Sequence, residues 1–210
     1  MEPVAFDKYF DEFKEKYPFF KNEKDYRLFT LLVIKYMFYP GDDTGFGQDN
    51  IQDALTDGAN DGGIDAIIND PASDNNDVVI IQSKYFNKTV LRPDSIVAEL
   101  YKIQETLDEF KKNKFSSRND RVVTAFKNAM LGKTDDKDIR IVFITSYEPK
   151  NLKERHKLER AAKKGIKYPV ELLFNSDINN QIMSVNSGKV CVEYDTLDLD
   201  QANNYLKYTN

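Results

Sequence analysis

One cysteine, one histidine and no tryptophan occur in 210 residues. A lone Cys191 excludes an internal disulfide and a cysteine-built zinc site, and it fits a reducing, cytoplasmic setting. A lone His156 excludes histidine relays and histidine-rich zinc centres. Long apolar runs are missing too. The longest, Leu28 to Tyr39, contains Lys35 and falls short of the roughly 20 apolar residues that cross a bilayer. At the start Glu2 and Asp7 stand where a secretory leader carries basic residues, and no apolar stretch follows, so no signal peptide and no membrane partner are expected. The glycines form no phosphate loop, because no Gly-Lys-Ser/Thr follows them. The acidic loop 57–65 fails as a calcium loop: Ala59 stands where an oxygen ligand is needed, and no glutamate closes a twelve-residue loop.

What is present reads as one globular chain. Hydrophobic residues at 40% supply a core, and charged residues at 31% keep the surface wet. The net charge of -5 argues mildly against a nucleic-acid binder. Its distribution is uneven: acidic residues crowd into 42–77, and much of the basic charge lies elsewhere. No repeat or low-complexity tract interrupts the chain.

Phe6, Phe10, Phe13 and Tyr17 fall on one helical face that ends before Pro18. A second helix is expected over 24–39, with Phe29, Leu32, Val33 and Tyr36 inward, stopped by Pro40-Gly41. Residues 50–57 fit a short helix or a short strand. Further on, Ile96, Leu100, Ile103, Leu107 and Phe110 trace a helix with Asp94 as its cap, widened by Val97 and Tyr101. Another helix is expected over 119–131, a buried strand over 140–145, a helix over 151–164, a strand over 170–174 and a short helix over 177–185. Val190 to Tyr194 reads as a last strand, with a helix begun from Gln201. Strands alternating with helices predict an α/β fold with an at least partly parallel sheet. Residues 1–49 read as a helical N-terminal region before an α/β domain over 50–210. A single domain over the whole length and the first domain of a longer protein are the alternative expectations.

The chemistry concentrates in one hairpin. Ile64-Asp65-Ala66-Ile67-Ile68 and Val78-Val79-Ile80-Ile81-Gln82-Ser83-Lys84 flank a loop dense in turn formers. Alternation puts Ile80, Gln82 and Lys84 on one face and Val79, Ile81 and Ser83 on the other. Asp65 interrupts the partner strand's apolar run. Burying such groups is costly unless they are paired or bind a metal, so their convergence marks a candidate site. The bland alternatives are an edge carboxylate capping a turn and a strand end reaching solvent.

Gly62-Gly63-Ile64-Asp65, a spacer, then Ile81-Gln82-Ser83-Lys84 resembles the nuclease motif of the PD-(D/E)xK superfamily in its Mrr-like Gln-x-Lys form. The fuller string, Asp57 to Asp65 with Gln82-Ser83-Lys84-Tyr85, is similar to the N-terminal region of abortive-infection phage-resistance proteins. The resemblance implies a restriction-endonuclease-like mixed sheet flanked by helices, with extra helices at the N-terminus and after the core. That core expects a helix and a first strand before the Asp-bearing strand, and the first strand has no clear place in this sequence. The resemblance also implies Mg²⁺- or Mn²⁺-dependent hydrolysis of nucleic-acid phosphodiesters, with double-stranded DNA ahead of RNA, a setting in prokaryotic phage defence, and a homodimer as an open option. It casts Asp65, Gln82 and the Ser83 backbone carbonyl as metal ligands and Lys84 as the water-positioning or charge-stabilising group. Glutamine in place of an acidic ligand weakens the hold on a cation, and Asp61, Asp57 or Asp53 could compensate.

For the helix over 151–164, Leu152, Leu158, Ala161, Ala162 and Ile166 are expected on the buried side, and a basic stripe of Lys153, Lys157, Arg160 and Lys164 fits either a solvated helix face or a phosphate-backbone contact. Lys111, Lys112, Lys114, Arg118 and Arg121 form a second basic cluster. Two other functions stay open beside the nuclease: a non-catalytic nucleic-acid-binding module on the same fold, and a protein-interaction or regulatory domain whose acidic loop meets a basic partner.

Overall fold

The computed structural model describes residues 5–41, 46–74, 77–85, 90–131 and 138–188. Cys191, the strand expected at Val190 to Tyr194 and the helix expected from Gln201 lie outside the described residues. Helix α1 (Asp7–Lys16) and a single 3₁₀ turn (Pro18–Phe20) lead into α2 (Asp25–Phe38) and α3 (Gln48–Ala54). The hairpin follows as β1 (Ala66–Asn69) and β2 (Val78–Lys84). Then come α4 (Pro93–Lys111), α5 (Asp120–Ala129), β3 (Ile139–Thr145), α6 (Leu152–Lys163), β4 (Val170–Leu173) and α7 (Asn175–Asn186).

The four strands form one mixed sheet in the order β1-β2-β3-β4. β1 runs antiparallel to β2 with Ile67 opposite Ile80, while β2, β3 and β4 are parallel. The two parallel connections run through helices, as parallel pairing requires. Residue 55 fills part of the gap in the expected core: Leu55 makes a single antiparallel bridge to Ala66. Of residues 50–57, the helical alternative holds through Ala54, where α3 ends, and Leu55 adds a single bridging residue.

Period-two alternation explains the two layers. Val79, Ile81, Val142 and Ile144 pack against residues of α1, α2, α3 and α7. Val78, Ile80, Ile141 and Phe143 pack against α4, α5 and α6. β2 is thus covered on both faces, and Val79, Ile80 and Ile81 have no exposed surface. Truncating one of these isoleucines to alanine would cost about 2–5 kcal/mol through the cavity left behind.

Local signals explain most element ends. The Asn119 and Asn151 side chains accept the Val122 and Glu154 N–H groups at 2.9 and 3.0 Å, capping α5 and α6. Four expectations are corrected. α4 starts at Pro93 with Arg92 at the cap position, and Asp94 lies in the first turn, since proline fits the first helical position. α2 is buried all round from Leu28 to Lys35 rather than on one stripe, and Tyr36 is only partly buried. The buried Lys35 ammonium donates to the Tyr39 carbonyl at 2.6 Å. Tyr101 and Leu152 face outward, at 41% and 73% exposure. Tyr101 lies beyond the apolar arc of α4, and Leu152 sits in the opening turn of α6.

Candidate functional site

Asp65 sits one residue before β1, and Gln82-Ser83-Lys84 end β2. The Asp65 N–H still donates to the Ile81 carbonyl at 2.8 Å. Its carbonyl instead accepts the Thr56 N–H at 2.9 Å, so its backbone has turned toward the preceding loop. The carboxylate takes over where the ladder ends. Oδ2 accepts the Ser83 N–H at 2.7 Å, the Gln82 Nε2–H at 2.6 Å and the Ser83 hydroxyl at 3.3 Å. Gln82 is buried at 3% exposure, and its Nε2 also donates to the Ser83 carbonyl at 3.1 Å. The hairpin therefore brings Asp65, Gln82 and the Ser83 backbone into one hydrogen-bonded group.

The glycine loop presents Asp65 because its own polar atoms are used internally. Thr56 Oγ1 donates to the Ile64 carbonyl at 2.6 Å. The Asp61 carboxylate accepts the Gly58 and Gly63 N–H groups at 3.1 and 2.7 Å, an aspartate turn of the usual kind. Gly62 and Gly63 hold φ of 73° and 80°, in the left-handed region that glycine enters at little cost. A Cβ on Gly62 would collide with Thr106 of α4, and the Thr106 hydroxyl donates to the Gly62 carbonyl at 3.1 Å. From α5, Asn119 reaches the loop through its backbone N–H to Asn60 and its amide to Ala59, both at 3.1 Å.

Burial pushes the Asp65 carboxyl up to about 6. The Ser83 N–H and the Lys84 ammonium pull it down, while the charges of Asp61 and Asp57 push it up. Asp61, Asp57 and Lys84 thus all act on Asp65. A carboxyl raised this way contributes most to stability below its unfolded value near 4, and that contribution is lost as pH rises to about 6. The fold holds an acid whose ionised form it would rather not carry, a frequent mark of functional sites.

Lys84 lies on the same strand face as Gln82, and its ammonium pairs with Glu99 of α4 at 2.9 Å. Ser83 faces the other layer, where its hydroxyl meets Thr30 of α2 at 2.5 Å. Of the carboxylates considered as extra ligands, Asp57 is paired with Arg27 at 3.1 Å. Asp61 is tied into its own loop and lies 3.7 Å from Lys102. Asp53 lines a cavity of about 520 Å³ with Glu23, Arg27 and Arg121. Among the described residues, no group of three or more His, Cys, Asp or Glu side chains converges to hold a metal.

Sequence reasoning missed the contribution of α4. Glu99, Lys102 and Thr106 lie at i, i+3 and i+7, a polar stripe beside the apolar one. That spacing was a usable signal for a shared face. Which part of the chain the face meets was not encoded locally.

The basic stripe lies elsewhere. Lys153, Lys157 and Arg160 along α6, and Lys164 at its C-terminal cap, are exposed. The chain just after α6 meets α4 through Gly165 against Tyr101, and through Lys167 with Gln104 and Asp108. Those α4 residues lie on the opposite flank from Glu99, Lys102 and Thr106, so α4 stands between the stripe and Asp65. Within the second cluster, Arg118 pairs with Glu109 at 2.8 Å and Lys111 lies over the Tyr168 ring at 4.6 Å.

No family model, curated protein or solved structure matches this chain. No helix among the described residues is long and apolar enough to cross a membrane.

Proposed function

We propose that this chain is a divalent-metal-dependent nuclease on a restriction-endonuclease-like core, cleaving phosphodiesters of DNA in preference to RNA. One observation carries the reading: Asp65, Gln82 and the Ser83 backbone meet within 2.6–3.1 Å, with Lys84 next along the strand and acting on Asp65. The element order supports it. A helix, a bridging residue, Asp65 at the entrance to β1, the antiparallel Lys-bearing strand, a crossover helix and a parallel strand follow in sequence, with α5 as an elaboration.

The donor set fits a hard cation. A carboxylate, an amide oxygen and a backbone carbonyl are all oxygen ligands, which suit Mg²⁺ or Mn²⁺. All three hydrogen bonds described for the Asp65 carboxylate fall on Oδ2, so a ligand on Oδ1 would displace none of them. Asp65, Gln82 and the Ser83 carbonyl would hold the ion once the Gln82 amide turns its Oε1 from Gly63 toward Asp65, which also frees the Ser83 carbonyl from Nε2. When bound, such an ion supplies charge at the scissile phosphate and acidifies a water. Lys84 adds a positive charge where negative charge develops on the phosphate, and Glu99 holds its ammonium in place. Asp65 gives up its proton to serve as a ligand, so the ion is held better as pH rises through about 6. By the family resemblance the setting is prokaryotic phage defence, and cutting both strands of a duplex would call for two copies.

Nicking of a supercoiled plasmid across Mg²⁺, Mn²⁺ and Ca²⁺ tests the reading. Wild type should cleave with Mg²⁺ or Mn²⁺, and Asp65→Ala and Lys84→Ala should abolish cleavage while keeping most binding. A wild-type chain that leaves the plasmid intact with every metal counts against it. A binding module without hydrolysis is the second reading. It draws on Gln82, whose Nε2 faces Asp65 while Oε1 lies over Gly63. That module would bind DNA with steep salt dependence and cut nothing.

A further inference from the structure

Resting on the nuclease reading, we infer that Lys102 of α4 is a second phosphate-contacting cation of the site, engaging a backbone phosphate next to the scissile one. Its root is fixed. The Thr106 hydroxyl shares its one proton between the Lys102 carbonyl at 2.9 Å and the Gly62 carbonyl at 3.1 Å. One hydroxyl thereby joins the middle of α4 to the glycine loop. The stem lies over Gly63: a Cβ there would sit 3.3 Å from Lys102 Cδ and 3.5 Å from Gln82 Oε1. Lys102 and Gln82 are therefore neighbours above a residue whose missing side chain makes room for both.

The two site lysines differ in how they are held. Lys84 is 31% exposed and bound to Glu99 at 2.9 Å, whereas Lys102 is 52% exposed and only 3.7 Å from Asp61. Asp61 is held by two backbone N–H groups in its own loop, and at 3.7 Å the Lys102 ammonium is outside hydrogen-bond distance of it. A fixed root, an exposed charge and a weak partner suit a group that exchanges a carboxylate for a phosphate when a strand arrives. Asp65, Asp61, Asp57 and Glu99 otherwise make this rim acidic, and a polyanion needs a cation on its approach. The ligand class is a nucleic-acid backbone phosphate, read without base preference.

The test compares wild type, Lys102→Met and Lys102→Arg. Affinity for a fluorescein-labelled DNA duplex is read by anisotropy from 50 to 200 mM KCl without divalent ion, and plasmid nicking is read with Mg²⁺. Lys102→Met should lose on the order of tenfold in affinity and reduce the slope of log K against log salt by about 1. Its KM should rise with kcat little changed, and Lys102→Arg should restore both. Lys102→Met with unchanged affinity, slope and KM overturns this inference while leaving cleavage by wild type intact. A wild-type chain that neither binds nor nicks DNA overturns the nuclease reading beneath it.

Discussion

The end of the β1–β2 hairpin and the outer face of α6 are both rich in charge, and they handle it in opposite ways. At the hairpin, one carboxylate is packed under three hydrogen-bond donors and raised to about 6. Its neighbours Asp57, Asp61 and Lys84 are each tied to a partner from another part of the fold or to their own loop. On α6, Lys153, Lys157 and Arg160 stand in water, and Arg155 on the inner flank pairs with Asp177 of α7 at 2.8 Å. Exposed charge costs the fold little and does little for it. Partly buried charge strains the fold, and a strained group is one that a ligand can relieve. Charge density alone does not distinguish the two regions; burial does.

The largest effect that would sharpen this contrast is on hydrolysis. Lys84→Ala and Asp65→Ala should each lower kcat by at least about 10²-fold, the scale of losing one electrostatic stabiliser, as read from plasmid nicking rates. Gly62→Ala comes next. It forces a left-handed backbone on alanine and drives a methyl into Thr106, so thermal or urea unfolding should show a loss of about 1–3 kcal/mol. Thr106→Ser in the Gly62→Ala background should recover part of that loss by removing one of the clashing atoms.

Asp65→Asn should act in the other direction. Asparagine keeps an acceptor for the Ser83 N–H without the buried charge, so the variant should gain about 1–3 kcal/mol at pH 7 while losing activity. The sign follows from the raised carboxyl. The gain should be near zero below pH 4, grow as pH rises to about 6 and stay level above it. Urea unfolding at pH 4, 5, 6 and 7 checks it. A gain that shrinks with rising pH would mean that Asp65 is stabilised as the anion. The smallest effect belongs to α6: Lys157→Gln should change stability by less than about 0.5 kcal/mol and nicking by less than about twofold.

The hairpin could be read from the sequence because period two is a local property. Ile80 and Ile81 announce a strand covered on both faces, and Gln82 and Lys84 must then share a side. The helix after the hairpin could be read for the same reason, through the unbroken spacing of Ile96, Leu100, Ile103 and Leu107. The partners of the site could not. Arg27 neutralises Asp57 from thirty residues upstream, and Glu99 reaches Lys84 only because α4 packs back over β2. Such pairings depend on docking angles, which no local pattern carries. Leu152 shows the same limit, since periodicity put it on the apolar side of α6, yet as the first residue of that helix it is 73% exposed.

The central claim is that Asp65 is a strained acid held ready for a cation, and its own titration tests that most directly. Carbon-detected NMR of the Asp65 carboxyl, with and without Mg²⁺, should show a midpoint at about pH 6 in the free protein, falling by at least about one unit when the ion is present. A midpoint near the ordinary aspartate value, or one that Mg²⁺ leaves unmoved, would contradict the account.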